Sequence, residues 1–314
     1  MTLEELQSCF ETQAAAFPGR TAYMYADLTD PYSAFSKDAD EGFCAADGFR
    51  AALVMAVMHA LKHSGKSVLD TISVPEEDIL EDSSAFENGP RELSFYELLY
   101  WMIADQVDTC VNVLLKLLGM ENINRFFRGH GLIKTRVERL LQDFSASADG
   151  YENYVSLQDL YTVMEHLFTN GGFADRLLQA EPSDGGEALP DAEAWEAETD
   201  AGDAGTAPQE EDGMLTPPQI AMQILGKCRD GGALLRYIYE DPECFHSSGT
   251  TDALAFDAGI FEAGGHAWFL GIFVSELDEE DEAAPDEARK LIGRLSRAVF
   301  DMYLAGGPQD ESTE

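Results

Sequence analysis

Strand-like patterning in this chain is confined to its two ends, with helical and acidic sequence between them. Residues 3–17 place apolar side chains at helical spacing and stop at Pro18-Gly19. Residues 21–28 (TAYMYADL) and 32–35 then flank Thr29-Asp30-Pro31, the composition of a turn between two strands. Near the other end, residues 252–262 and 266–276 are rich in Ala, Phe, Ile and Val and meet at Ala263-Gly264-Gly265, a hairpin turn. A helix over 286–304 follows, with Leu291, Leu295, Ala298 and Met302 on one face. Strands this far apart in sequence bury their faces economically by meeting in one sheet. The pattern therefore predicts a four-stranded sheet assembled from both chain ends and covered by the two terminal helices.

Between the ends, a strongly apolar helix is expected from Asp47 to about His63, closing at Ser64-Gly65, with further helices at 94–105, 108–118, 121–129, 156–169 and 217–229. The expected fold class is mixed α+β: an antiparallel sheet flanked by terminal helices, plus an all-helical lobe. The expected boundaries are 1–45 and 235–305 for the discontinuous sheet lobe, 46–234 for the helical lobe, and 306–314 for a disordered tail. Residues 181–213 carry twelve acids and no base, with Trp195 the one large apolar residue besides leucine. Such a composition does not offset its ordering entropy, so a disordered acidic insertion is expected there.

The full chain has 59 acidic against 20 basic side chains, a formal charge of −39. Three tracts, 181–213, 276–287 and 305–314, supply −23 of it, and the remainder is still acidic. That balance repels polyanions and argues against nucleic acid and anionic membrane as partners. The longest apolar run, 51–61, is interrupted by His59 and is shorter than the roughly 18 residues of a membrane span. The N-terminal MTLEELQSCFETQ has neither a basic nor an apolar leader region, so a cytoplasmic location is expected. Five scattered cysteines, Cys9, Cys44, Cys110, Cys228 and Cys244, form no CxxC and have no histidine at zinc-finger spacing. They read as reduced thiols, with Cys44 or Cys110 the one to watch for reactivity, and no metal or cofactor is expected. Nothing in the sequence sets an oligomeric state.

Four phrases give the chain a family likeness: FCAADGFRAALVMAV (43–57), ELSFYELLYWMIADQVDTCVNVLLKLLG (92–119), ADGYENYVSLQDLYTVMEHLF (148–168) and FHSSGTTDALAFDAGIF (245–261). In order, spacing and surrounding topology they resemble the class A β-lactamase and penicillin-binding-protein family of serine acyl-transferases. The resemblance implies a β-lactamase/transpeptidase-like fold with a cleft between the lobes. That family uses S-x-x-K at the start of a buried helix, S-D-N in the helical lobe and K-T-G on a strand. On this chain the three fall on Asp47-Gly48-Phe49-Arg50, Gln106-Val107-Asp108 and Ser247-Ser248-Gly249. The whole sequence contains no S-x-x-K and no K-T-G, so a shift of register does not restore them. Near Asn153, either Asp149 or Glu152 stands where the family carries its deacylating glutamate.

Each replacement has a purely structural reading. Asp47 suits a helix N-cap and Arg50 could pair with it across one turn. Asp108 would begin the following helix, and Ser247-Ser248-Gly249 would be a turn entering a strand. His246 and His266, each beside a strand, read as core or surface filling. The chemistry points the same way: acyl transfer needs a hydroxyl with a neighbouring base, and a guanidinium stays protonated and cannot be that base. The sequence thus predicts a β-lactamase-like protein with no catalytic residues of the serine type, retaining a cleft for an unidentified small molecule or peptide. Its degenerate motif positions are Asp47, Arg50, Gln106, Asp108, Asp149, Asn153, Ser247, Ser248 and Gly249. Two alternatives stay open: a hydrolase of altered chemistry using Asp47, and an interaction protein acting through the acidic tracts.

Overall fold

The computed structural model describes residues 1–30, 32–44, 48–81, 83–171 and 215–308. Asp47, the tract 181–213 and residues 309–314 of the expected tail lie outside the described residues.

Helix α1 (Leu3–Ala16) opens on a capping box in which Thr2 and Glu5 satisfy each other's backbone amides. It buries Leu6, Phe10 and Ala14 and ends before Gly19, whose φ is +105°. A Cβ there would lie 2.7 Å from the Ser275 carbonyl, so the tight entry into the sheet requires glycine. Strands β1 (Arg20–Asp27) and β2 (Ala34–Lys37) form the N-terminal hairpin, and β3 is the short Phe43–Cys44. The apolar α2 (Arg50–Ser64) is buried from Arg50 through Met58 and again at Ala60 and Leu61. It begins three residues later than the sequence pattern suggests, with Phe49 at the N-cap and no side-chain cap bond.

Strands β4 (Thr71–Val74) and β5 (Arg91–Ser94) pair antiparallel and lead into α3 (Phe95–Ala104), which the Ser94–Glu97 capping box starts. Then come α4 (Asp108–Leu118), α5 (Met120–Gly129), the single turn α6 (Phe144–Ala148), β6 (Tyr154–Val155, paired with β3) and α7 (Leu157–Asn170). Helix α8 (Pro217–Leu225) is set by Thr216 and Gln219, and β7 (Glu243–Thr251), β8 (Leu254–Ala263), β9 (His266–Ser275) and α9 (Ala284–Leu304) complete the chain.

The main sheet runs β2-β1-β9-β8-β7, antiparallel throughout, with Thr21 opposite Val274 and Tyr25 opposite Leu270. The two chain ends do share one sheet. It has five strands rather than the expected four, because the segment read as a turn at Ser247-Ser248-Gly249 lies inside β7. That strand, ECFHSSGTT, has small and polar residues and no apolar alternation, so its place is set by neighbours that cover it. One sheet face, with Ala22, Phe256, Phe269 and Phe273, packs on α2, α7 and α8. The other, with Tyr23, Tyr25, Trp268 and Leu270, packs on α1 and on the α9 stripe Leu291, Leu295, Val299 and Met302. Phe43, Phe273 and Phe256 stack in series at 4.8 Å spacing.

At the outer end of the β7–β8 ladder, Glu243 and Glu262 face each other directly. Burial, a hydrogen bond with Glu243 and that neighbour's charge push the Glu262 carboxyl up to about 7. A carboxyl raised on folding stabilises the fold below its unfolded value, and that contribution is lost as pH climbs through about 7. Like charges directly opposed across a strand pair cost about 0.2–1 kcal/mol. Glu262→Gln should therefore raise the melting temperature by a few degrees at pH 8 and leave it unchanged at pH 4.5. Equal effects at both values would show that the two carboxyls do not share a proton.

Candidate functional site

The first residue of α2 is a charge at the head of the apolar run 51–58, and its surroundings follow from that. Arg50 is 2% exposed, and its Nη2 donates to Asp108 Oδ1 at 2.7 Å and to the Gln106 carbonyl at 3.1 Å. Asp108 starts α4, and its second oxygen accepts from Gln142 Nε2 at 3.0 Å. Gln106 lies in the bend between α3 and α4 with φ +54°, a left-handed conformation a glutamine adopts at a cost. This bend turns its carbonyl to Arg50 while its amide donates to Ser248 Oγ at 3.0 Å.

The chain of bonds continues across the sheet edge. The Ser248 hydroxyl donates to Asp230 Oδ2 at 2.7 Å. Asp230 Oδ1 accepts from the Gly232 amide at 2.9 Å and from the Arg289 guanidinium on α9. One polar network thus ties α2, the α3–α4 bend, the α8–β7 connection, β7 and α9 together, with a cation at each end. Arg229 extends the same rim by gripping both oxygens of Asp105, at 2.8 and 2.9 Å, beside Tyr100.

Of the nine positions singled out from the sequence, Arg50, Gln106, Asp108 and Ser248 meet in this network. Ser247 and Gly249 flank Ser248 on β7, buried and paired in register with Ala258 and Phe256. The other two described positions are held elsewhere. Asp149 is exposed at the end of α6. Asn153 is buried, and its Oδ1 accepts the Glu138 and Arg139 amides at 2.9 and 3.2 Å, clamping the loop that carries α6. Glu152 is bound by Arg139 at 2.8 Å and by Ser147. Burial works to raise the Glu152 carboxyl, but the bonds from Ser147 and Arg139 outweigh it and hold it below its usual value. Asp47, the expected partner of Arg50, lies outside the described residues; among these, Arg50 pairs with Asp108, fifty-eight positions on.

The thiol of Cys110 is fully buried, and burial pushes it up to about 12, so it is no nucleophile at neutral pH. His246 is likewise a core residue: its Nδ1 bonds Asp257 Oδ1 at 2.9 Å, and Asp257 Oδ2 accepts the Leu234 amide at 3.0 Å. Burial alone would lower the His246 pKa, but the Asp257 carboxylate carries it well above the ordinary value. Gly259, opposite His246, leaves the space this ring occupies, since a Cβ there would sit 2.4 Å from the His246 Cβ. Among the described residues no group of three His, Cys, Asp or Glu side chains is placed to hold a metal ion, and no helix is long and apolar enough to cross a membrane.

The hydroxyl of Ser248 is already spent on Asp230, and that carboxylate is engaged by Arg289 and Gly232. Removing one member of a buried ion pair strands the other. Asp108 keeps 27% of its side-chain surface, so the penalty is below the fully buried case. Arg50→Met should destabilise the protein by about 2 kcal/mol in chemical denaturation, and Arg50→Met with Asp108→Leu should recover most of it. Additive losses in the double variant would show that the pair is not a coupled unit.

The profile of the beta-lactamase enzyme family matches residues 4–180 and 217–303. The fold is similar to a beta-lactamase from Chitinophaga pinensis, at 15% identity and TM-score 0.72 over 95% of this chain and 99% of that one. It is similar also to a beta-lactamase from Sphaerobacter thermophilus, at 17% and 0.71 over 96% and 98%, and to PBP-A, at 16% and 0.72 over 97% and 98%. At these identities the likeness is one of fold. No curated protein sequence matches the chain. The five-stranded antiparallel sheet built from both ends, the helical half between them and the profile match over both parts show that this chain belongs to the beta-lactamase enzyme family.

Proposed function

We propose that this family member is a non-catalytic, cytoplasmic β-lactamase-like protein. In this reading it keeps the two-lobed architecture, 1–45 with 235–305 against 46–234, and uses the cleft between the lobes to bind a small molecule or peptide. The observation that carries the reading is the ion pair of Arg50 with Asp108. These residues stand where the family's S-x-x-K lysine and the last residue of its S-D-N fall on this sequence. A lysine amine can lose its proton and act as a base; a guanidinium locked on a carboxylate cannot. The position of the nucleophilic hydroxyl carries Asp47, and that of the K-T-G lysine carries Ser247. Nucleophile, base and substrate cation are therefore replaced together. The absence of a disulfide among the five cysteines supports a reducing compartment.

The purified protein should neither hydrolyse a chromogenic β-lactam nor become labelled by a fluorescent penicillin. Asp47→Ser combined with Arg50→Lys should restore little activity, because Gln106 and Ser247 still occupy the positions of the second hydroxyl and the substrate cation. A penicilloyl adduct on the wild type, detected by intact-protein mass spectrometry, would overturn this reading, and its location would name the nucleophile.

A further inference from the structure

Four of the six histidines in the chain gather at one place away from the cleft, at the far end of α2. The His59 ring is half-buried on α2 and lies 4.1 Å from the ring of His63, one helical turn on. It is 4.8 Å from Phe126 on α5 and 5.5 Å from His130, the residue that closes α5. His130 stacks on Phe126 at 4.0 Å, and its Nδ1–H donates to the Phe126 carbonyl at 2.9 Å. The fourth ring, His166 on α7, is close enough to His130 for the two to influence each other's charge. Since no three such side chains are placed to share a metal ion among the described residues, the physical property of the cluster is its response to protons.

We propose that His59, His63, His130 and His166 form an acid-operated latch, which holds α5 and α7 against α2 while the rings are neutral and loosens them when protons are taken up. Neutral rings pack and stack as apolar surface. A proton bound by His59 places a cation 4.1 Å from the His63 ring and 5.5 Å from the His130 ring, where like charges repel once those rings are also protonated. Among the described residues, the charged and titratable groups acting on His59 share that sign: His63 and Lys62 from α2 itself and His130 from the end of α5. On α7, Glu165 supplies a counter-charge, and it acts on His166.

The titration properties agree with the geometry. Burial, then the charges of His63, His130 and Lys62, lower His59 from its ordinary value to about 4. Burial and His130 also lower His166, against the pull of Glu165. A histidine lowered on folding stabilises the native state above its unfolded value near 6.5, and that contribution is lost as pH falls towards about 4. Helix α2 links the latch to the cleft, because Arg50 and His59 are nine positions apart on one rigid helix, about 13 Å along its axis.

The test compares melting temperatures at pH 7.5 and pH 5.0, in a chelator throughout, for the wild type, His59→Phe and His130→Asn. His59→Phe keeps the ring packing on Phe126 without the proton site, and His130 is exposed, so its replacement keeps the test open if the first variant does not fold. The wild type should lose on the order of 5 °C more than His59→Phe over this interval, and a smaller amount more than His130→Asn, in which the burial of His59 remains. The variants carry the same background of titrating carboxylates, so the difference isolates the cluster. Amide hydrogen exchange at pH 5.0 should show selective loss of protection in residues 120–130 and 157–167, corrected for intrinsic rates. Equal losses of melting temperature in wild type and variants, or unchanged protection of those two segments, would overturn the proposal.

Discussion

A helix buried on nearly every side cannot carry a charge without a counter-charge brought to it, and that constraint organises this protein. Helix α2 has apolar residues around its whole circumference and is covered by α7, α8, α5 and the sheet edge. Its one deeply buried cation, Arg50, would be prohibitively costly without partners. The partners come from the α3–α4 bend, where Asp108 supplies charge and Gln106, in a left-handed conformation, supplies a carbonyl. From there the satisfaction of one group requires the next, through Ser248 and Asp230 to Arg289. The network joins the helices of the middle chain to the sheet and to α9 by directional bonds where apolar packing alone would leave register loose.

The same bonds decide what the site can do. A cleft built for acyl transfer leaves its hydroxyl, base and anion-binding groups poised for a substrate, and so leaves their hydrogen bonds partly unmade. Here an entering ligand would have to replace charge-assisted bonds at 2.7 to 3.0 Å. A ligand that succeeds would carry a carboxylate for Arg50 or Arg289, or a cation for Asp108 or Asp230.

The fold was legible where local rules and packing agree. The Pro18-Gly19 stop, the Ala263-Gly264-Gly265 hairpin and the Leu291 to Met302 stripe each carry their signal within a few residues, and each is in its expected place. Strand β7 carried no such signal, since Cys244-Phe245-His246-Ser247-Ser248 has no period-two apolar face and is buried by α2 and α8 rather than by its own pattern. The pairs β3–β6 and β4–β5 are too short for periodicity to register. In the site, Arg50, Gln106, Asp108 and Ser248 were legible because motif spacing fixed them. Gln142, Asp230 and Arg289 belong to no motif, and only the packing of α9 and the α8–β7 connection brings them there. Asp149 stands exposed at the end of α6, and Asn153 clamps the Glu138–Arg139 backbone; neither joins the Arg50 network by a hydrogen bond among the described residues.

The scarcity of bases gives the arrangement a further logic. With 20 bases against 59 acids, every arginine in a structural pair leaves the surface more acidic. Yet three of them fasten α9: from the helix, Arg289 on Asp230 and Arg297 on Glu240 and Asp301, and from the connecting segment, Arg236 on Asp286 of this helix. These pairs fasten the segment 229–240 to α9, and that segment delivers Asp230 to Ser248. The C-terminal helix therefore acts on β7 through polar bonds: its guanidinium fixes the carboxylate that fixes the serine. Cations in this acidic chain serve as the cross-links of the polar network, and the surface acids are the residue of charge that solubility requires.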